Sequence, residues 1–222
     1  MNLIKELELI SSNFGVSLNE ARNKLKGISE YAYNLKGLLH HLYFAMASLT
    51  IKDVKNVLEI GTGLGETTAV LSGLFPDATI YTIDLPGKDI DYLNSWRSLK
   101  KKKNAMQRFK ENINKKNIKF IPENSFFLPS LELPGMFEII WIDGGHDFPA
   151  VAWDIMFAYS HLQHGGFMFM HDYSIEPMQY TRVKNVLEYI STRIKEKILI
   201  LPSVGNDNAK TACIKKGEVN IL

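Results

Sequence analysis

The stretch Val57-Leu58-Glu59-Ile60-Gly61-Thr62-Gly63-Leu64-Gly65-Glu66-Thr67-Thr68 restricts the fold more than any other part of the chain. An apolar run of strand length passes into three alternating glycines and then into a helix start. Gly61, Gly63 and Gly65 let the backbone bend sharply and approach a ligand closely, while the N–H groups that open the following helix point into the site. A second apolar run, Ala78-Thr79-Ile80-Tyr81-Thr82-Ile83, closes on Asp84. That is the interval at which the next strand of a doubly wound sheet delivers a carboxylate to a ribose. The two features together predict a nucleoside cofactor in an α/β fold.

The rest of the chain agrees with that architecture. Apolar runs at 56–60, 79–84, 118–121, 138–143, 166–171, 197–201 and 210–215 read as strands, and helical patterns fall near 66–75, 104–115, 149–162 and 178–195. Their alternation implies a doubly wound, mostly parallel seven-stranded sheet covered on both faces. The last two strands are separated by Pro202-Ser203-Val204-Gly205-Asn206-Asp207-Asn208, too short for a helical crossover, so they are expected to form a C-terminal antiparallel hairpin. Residues 3–48 read as helices, with Ser17 and Glu20 as a capping box, and divide the chain into an N-terminal helical extension, 1–52, and an α/β domain, 53–222. At 222 residues a second full domain is not expected. The single cysteine, Cys213, excludes an internal disulfide and a multi-cysteine metal site. No apolar stretch has the length of a membrane span, and the N-terminus lacks a signal-peptide layout, so a cytoplasmic protein that does not enter a membrane is expected.

Glu66 stands where a dinucleotide fingerprint would place its third glycine, and a carboxylate there repels a pyrophosphate. Glu59, two residues before Gly61, suits a ligand carrying positive charge better than a polyanion. This E-x-G-x-G-x-G pattern, followed by an acid at the end of the next strand, resembles the S-adenosylmethionine site of class I methyltransferases. The resemblance implies cofactor contacts from Glu59, Gly61, Thr62, Gly63, Gly65, Thr67 and Asp84, and from Asn124 and Ser125 after the third strand, with Asn124 facing adenine. Helix capping explains Thr67 or Thr68 equally well.

In an open parallel sheet, ligand-contacting groups gather at the carboxyl ends of the strands. Here the fourth strand empties into Asp143-Gly144-Gly145-His146 and the fifth into His171-Asp172-Tyr173, which brings two carboxylates and two imidazoles toward the methyl end of the cofactor. The D-G-G-H and H-D-Y pair resembles metal-assisted O-methyltransferases acting on small molecules, including sugar, macrolide and, more distantly, catechol types, over about residues 55–175. That resemblance implies Asp143, His171 and Asp172 as ligands of a divalent cation, Mg²⁺ or Mn²⁺. It gives Asp143 a catalytic and cofactor-contacting position and makes His146 the general base. A histidine at 171, where an acid is frequent, favours Mn²⁺, Fe²⁺ or Zn²⁺ over Mg²⁺. The plainer alternatives are a loop histidine at 146 satisfied by Asp147 or backbone, and a His171 that hydrogen-bonds across the sheet. Asp154 receives no catalytic role, and His40-His41 and His161-x-x-His164 read as structural or solvent-facing.

The net charge of +2 carries no global polyanion signature, but ten Lys or Arg residues stand against one Glu between Arg97 and Lys119. A solvated helix with Trp96, Met106 and Phe109 turned inward competes with recruitment of an anionic acceptor, and no aromatic stacking platform accompanies the charge, which disfavours nucleic acid. The stretch Leu85–Asn104 reads as a lid-like insertion. The expected activity is methyl transfer to the hydroxyl of a small-molecule acceptor, an anionic one being compatible with the basic segment. An RNA or protein methyltransferase, a non-catalytic cofactor-binding module and a nicotinamide oxidoreductase are the other readings. The apolar N-terminal helices offer a homodimer interface.

Overall fold

A computed structural model describes residues 2–87, 99–174, 182–204 and 209–217. Four helices come first, α1 (Leu3–Asn13), α2 (Leu18–Leu25), α3 (Glu30–Tyr33) and α4 (Leu39–Thr50). Ser17 and Glu20 form the expected capping box at the start of α2. Then β1 (Asn56–Ile60), α5 (Glu66–Leu74), β2 (Thr79–Asp84), α6 (Leu99–Ile113), β3 (Ile118–Pro122) and a 3₁₀ turn at Ser125–Ser130 follow. The chain continues through β4 (Phe137–Ile142), α7 (Ala150–Ser160), β5 (Leu162–Ser174), α8 (Val183–Ser191), β6 (Ile198–Leu201) and β7 (Ala209–Lys215).

The seven strands lie in the order β3-β2-β1-β4-β5-β7-β6. β1 through β5 pair in parallel, while β7 runs antiparallel to both β5 and β6, so the final hairpin inserts its second strand beside β5 and leaves its first at the edge. β1 is paired on one side with β2 and on the other with β4, which makes its carboxyl end the point where chain direction across the sheet reverses and a crevice opens. The fold is thus the mostly parallel α/β sheet with a C-terminal antiparallel hairpin that the alternation predicts.

Side-chain alternation along the strands sorts the core into two layers. Ile139, Trp141, Phe167 and Phe169 join one cluster with the N-terminal helices, whereas Ile140, Ile142, Met168 and Met170 join another with α7 and α8. The helices of 1–52 therefore share a core with the sheet. Leu42, Tyr43, Phe44, Ala45, Met46 and Ala47 are fully buried, so most of α4 is spent on intrachain packing, and Ile4, Leu9, Tyr31 and Leu38, with Leu49 near the end of α4, are the large apolar side chains of this region left exposed. Among the described residues, no helix is long and apolar enough to cross a membrane.

The basic helix differs from its expected packing. Met106 is exposed, and the inward face is made by Ala105 and by Phe109, whose ring lies 5.1 Å from that of Phe120. A helix whose mean composition is this polar buries only a narrow stripe, and Met106 falls outside it. Trp96 and residues 88–98 of the expected lid lie outside the described residues, as do the side chains of Lys100 to Lys103.

The phenol of Tyr43 donates a buried hydrogen bond of 2.7 Å to the carbonyl of Pro202, joining α4 to the end of β6. Tyr43→Phe leaves that carbonyl buried without its donor and is expected to lower unfolding free energy by about 1–3 kcal/mol in urea titration.

Candidate functional site

The crevice at the carboxyl ends of β1, β2 and β4 is a cavity of about 810 Å³, within the roughly 300–1,000 Å³ typical of small-molecule sites. Its floor is the glycine turn. Gly61 sits at φ +97, and a Cβ there would lie 2.2 Å from the carbonyl oxygen of Asp143, so only glycine lets the ends of β1 and β4 meet. Gly65, at φ +72, is closed by α6 instead, because a Cβ would lie 2.9 Å from Cγ2 of Ile113. Gly63 faces open space.

Asp84 stands on the opposite wall at the end of β2. One of its oxygens accepts from the Gly63 N–H at 2.7 Å and the other from the Leu85 N–H at 2.8 Å. Burial raises its pKa, and these backbone donors act against that rise. The carboxylate thus clamps the turn while still lining the cavity, and each oxygen keeps lone-pair capacity for a ligand hydroxyl. Thr62, Thr67, Asn124 and Ser125 also line the cavity. Asn124 caps the 3₁₀ turn by accepting from the Phe126 N–H at 2.9 Å, and Ser125 accepts on its carbonyl from the Trp153 indole at 3.0 Å. Thr67 lies 3.4 Å from Nε2 of His41, whose Nδ1 meets Ser29 at 2.9 Å.

Glu59 is placed differently from the expectation. Its side chain points away from the cavity, is wholly buried, and accepts from Thr68 and Thr82, both at 2.5 Å. Thr82 in turn meets Thr62 at 2.6 Å. The strand period explains this, since Glu59 shares its face with Val57 and lies beneath α5, whereas the cavity is lined by the turn beyond the strand. Burial pushes its carboxyl up to about 8, so at neutral pH it is chiefly a neutral group and does not offer a full charge to a cationic ligand. Its reach into the site is indirect, through Thr82 to Thr62.

The far wall carries the carboxylate and imidazole groups. His171 and Asp172 are consecutive on β5 and would face opposite sides of a regular strand. A register shift between Met170 and Tyr173, with Asp172 at φ 53, turns both toward the end of β4. His171 Nδ1 then lies 3.1 Å from Asp143 and 2.9 Å from Asp172, and His146 Nδ1 lies 2.9 Å from Asp172. His146 Nε2 is 3.6 Å from Asp143 and is buried without a hydrogen-bond partner. Asp143 and Asp172 push His146 up to about 9. Burial opposes charging of His171, yet the same two carboxylates raise it to about 10. Against the effect of their own burial, both carboxylates are held below their usual range by the two imidazoles.

This arrangement does not fit a divalent cation. Both oxygens of Asp172 and Oδ1 of Asp143 are turned onto imidazole nitrogens, and among the described residues no group of three or more His, Cys, Asp or Glu side chains is placed to hold a metal ion. The expected Asp143–His171–Asp172 metal centre is replaced by two interlocked carboxylate–imidazolium pairs, which neutralise one another without a metal. Nor does His146 reach the cavity wall, which is formed on this side by Asp143, Gly144, Gly145, His171 and His40.

His40 is the residue that sequence reasoning missed. Its ring stacks on that of Trp141 at 5.0 Å and meets His171 edge-on at 5.5 Å. Burial, together with the neighbouring histidines, lowers its pKa well below the ordinary value, so it faces the cavity as a neutral imidazole. Nothing in the pattern around His40-His41 separates a cavity histidine from a core one, because the distinction depends on how α4 crosses the end of the sheet.

A family model described as a methyltransferase domain matches residues 58–173, and the chain belongs to that family. No curated protein matches the chain. Solved structures share the fold. The O-methyltransferase TomG from Streptomyces achromogenes, involved in tomaymycin synthesis and in complex with SAM, is 19% identical with a TM-score of 0.57, over 98% of this chain and 100% of that one. Cofactor-bound Rv0187 from MTB is 15% identical with a TM-score of 0.59, over 88% and 90% of the two chains. The N-methyltransferase NodS from Bradyrhizobium japonicum WM9, in complex with S-adenosyl-l-homocysteine, is 16% identical with a TM-score of 0.55, over 90% and 100%.

Glu59 supplies a test of the buried chain of hydroxyls. A carboxyl whose folded pKa lies above its unfolded one takes up a proton on folding, so its contribution to stability falls as pH rises from about 4.5 toward about 8. Glu59→Gln removes that dependence. Thermal melts between pH 5 and pH 8 are expected to show the variant gaining on the wild type as pH rises, by on the order of 3 kcal/mol across the range.

Proposed function

We propose that the protein is an S-adenosylmethionine-dependent methyltransferase that acts on a hydroxyl of a small molecule. The observation that carries this reading is the layout of one cavity. The glycine turn and Asp84 stand at one end, and His171, backed by Asp143 and Asp172, stands at the other. Gly63 leaves space where a methionyl or ribose group would pass, and Asp84 has acceptor capacity for ribose hydroxyls. The residues therefore fit the cofactor. Cofactor-bound neighbours of the same fold support the assignment. Glu66, which pairs with Arg108 beside the turn, speaks against the pyrophosphate of a nicotinamide dinucleotide.

When bound, S-adenosylmethionine supplies a methyl carbon on a sulfonium, whose carbon–sulfur bond breaks with its electron pair going to sulfur as the new oxygen–carbon bond forms. The chain's contribution is to align an acceptor oxygen with that carbon and to take its proton. Of the two imidazoles on the cavity wall, His40 and His171, His171 is the one backed by carboxylates. Its Nδ1 is committed to Asp143 and Asp172, which leaves Nε2 as the nitrogen turned toward an acceptor. The two carboxylates orient the ring and stabilise it once it has received the proton. His146 stands behind this pair and holds Asp172 in place from the other side. The role expected of His146 thus passes to its partner across the carboxylates, and no step is routed through a metal.

Calorimetry with S-adenosylhomocysteine tests the cofactor. Saturable binding is expected for the wild type, with at least about tenfold weaker binding for Asp84→Ala, as loss of a hydrogen-bonded charge costs about 1.5–3 kcal/mol. The absence of any saturable heat from the wild type would sink the reading.

Steady-state kinetics test the base. Because the carboxylates raise His171, its neutral form appears only as pH rises toward about 10, so kcat is expected to climb on the alkaline side of neutrality. His171→Gln should lower kcat by about 10²–10⁴-fold and abolish that limb. A pH profile unchanged by the substitution removes His171 from the proton transfer.

A further inference from the structure

Asp154 lies on α7 with no part of it exposed, and among the described residues neither of its carboxyl oxygens has a hydrogen-bond partner. A core in need only of filling gains nothing from such a group, because a buried carboxyl without a partner is destabilising. It sits directly behind the wall of the donor cavity. A Cβ added to Gly144, which lines that cavity, would lie 3.3 Å from its Oδ2. Burial pushes the carboxyl up to about 6, while the Ser125 side chain and the charge of His146 act against that rise. In mildly alkaline solution it is therefore chiefly ionised, and a carboxylate only accepts.

Ser125 is the side chain that both lines the cavity and acts on this carboxylate. Its backbone is fixed against α7, since its carbonyl accepts at 3.0 Å from the indole of Trp153, the residue before Asp154. A serine hydroxyl has one proton and two lone pairs. Beside an acceptor-only neighbour the proton turns toward Asp154, and the oxygen is left to the cavity as an acceptor.

The position of Ser125 along the cavity decides which part of a ligand meets that oxygen. His171 marks the methyl end and Asp84 the ribose, so the base lies beyond Asp84, among Glu123, Asn124 and Ser125. There Asn124 Oδ1 is already given to the Phe126 N–H, and Glu123 Oε1 to the Asn124 N–H. We infer that Asp154 is a positioning residue that fixes Ser125 Oγ as a hydrogen-bond acceptor in the base subsite, and thereby selects a purine with a 6-amino group over one with a 6-oxo group. This selection rests on the methyl-donor reading of the cavity and extends it to a residue that no ligand touches. An amino group at C6 donates to the serine oxygen, whereas a 6-oxo group sets one acceptor against another.

Calorimetry with S-adenosylhomocysteine and S-inosylhomocysteine, which differ at the six-position edge of the base, reads the selection as a ratio of affinities. The wild type is expected to favour the adenosyl compound by about tenfold or more. Asp154→Asn keeps the size of the side chain but can donate to Ser125, so the ratio should fall by about tenfold or more, with the inosyl compound bound no more weakly than by the wild type. Replacing a residue that merely supported the fold would weaken both compounds alike and leave the ratio in place. Ser125→Ala should lose the preference as well, and adding Asp154→Asn to it should change the ratio no further. Asp154→Ala, which also frees the serine proton, is expected to lose the preference too and is read if the Asn variant does not fold. A wild type that binds both compounds equally, Asp154 variants whose ratio stays within about threefold of the wild type's, or additive effects in the double variant would overturn the inference while the donor reading stands. Absence of saturable S-adenosylhomocysteine binding to the wild type would overturn the donor reading, and this selection with it.

Discussion

Gly61 and the backbone of Asp143 approach so closely that a single added carbon would overlap a carbonyl oxygen, and the rest of the site depends on that contact. It brings the ends of β1 and β4 together, so the glycine turn that floors the cavity and the first carboxylate of the far wall become neighbours. The parallel order of β2, β1 and β4 then sets Asp84 on one side of the turn and Asp143 on the other. An α/β sheet places such groups at its carboxyl edge because every strand leading into the crevice runs the same way.

Two buried polar systems hold the cavity from behind. On the turn side, Thr68, Glu59, Thr82 and Thr62 form one chain of short hydrogen bonds, and the carboxyl inside it avoids an isolated charge by remaining protonated at neutral pH. On the far side, Asp143, Asp172, His146 and His171 solve the same problem with opposite charges, as two carboxylates and two imidazoles offset one another. In that arrangement both oxygens of Asp172 and one of Asp143 face imidazole nitrogens. The neutral His40 stacked on Trp141 completes the wall without adding charge.

Much of this was legible in the residues. The strand, glycine turn and helix from Val57 to Thr68, the acid ending β2, and the short link before the last strand each encode a local geometry, and the observed sheet follows them. Asp143 and Asp84 were legible as cavity groups because they directly follow apolar strands. Glu59 was misread, since its place in the motif resembles a ligand contact while the two-residue period of β1 turns it into the core. His146, expected at the cavity, is not among the residues that line it, for a related reason. Spacing shows that it follows the fourth strand but not which of two converging imidazoles meets the cavity.

Local sequence determined the order of strands and helices, the glycines at the crowded turn and the charges delivered to the sheet's edge, because backbone preference and side-chain period act over a few residues. Tertiary structure alone decided which imidazole lines the cavity, whether the carboxylates pair with histidines or remain open to a cation, and that His40 and Leu38 belong to the site at all. Those outcomes depend on the bulge at Asp172 and on how α4 crosses the end of the sheet. Both bring together residues from distant parts of the chain, and no pattern along the chain records distances set in that way.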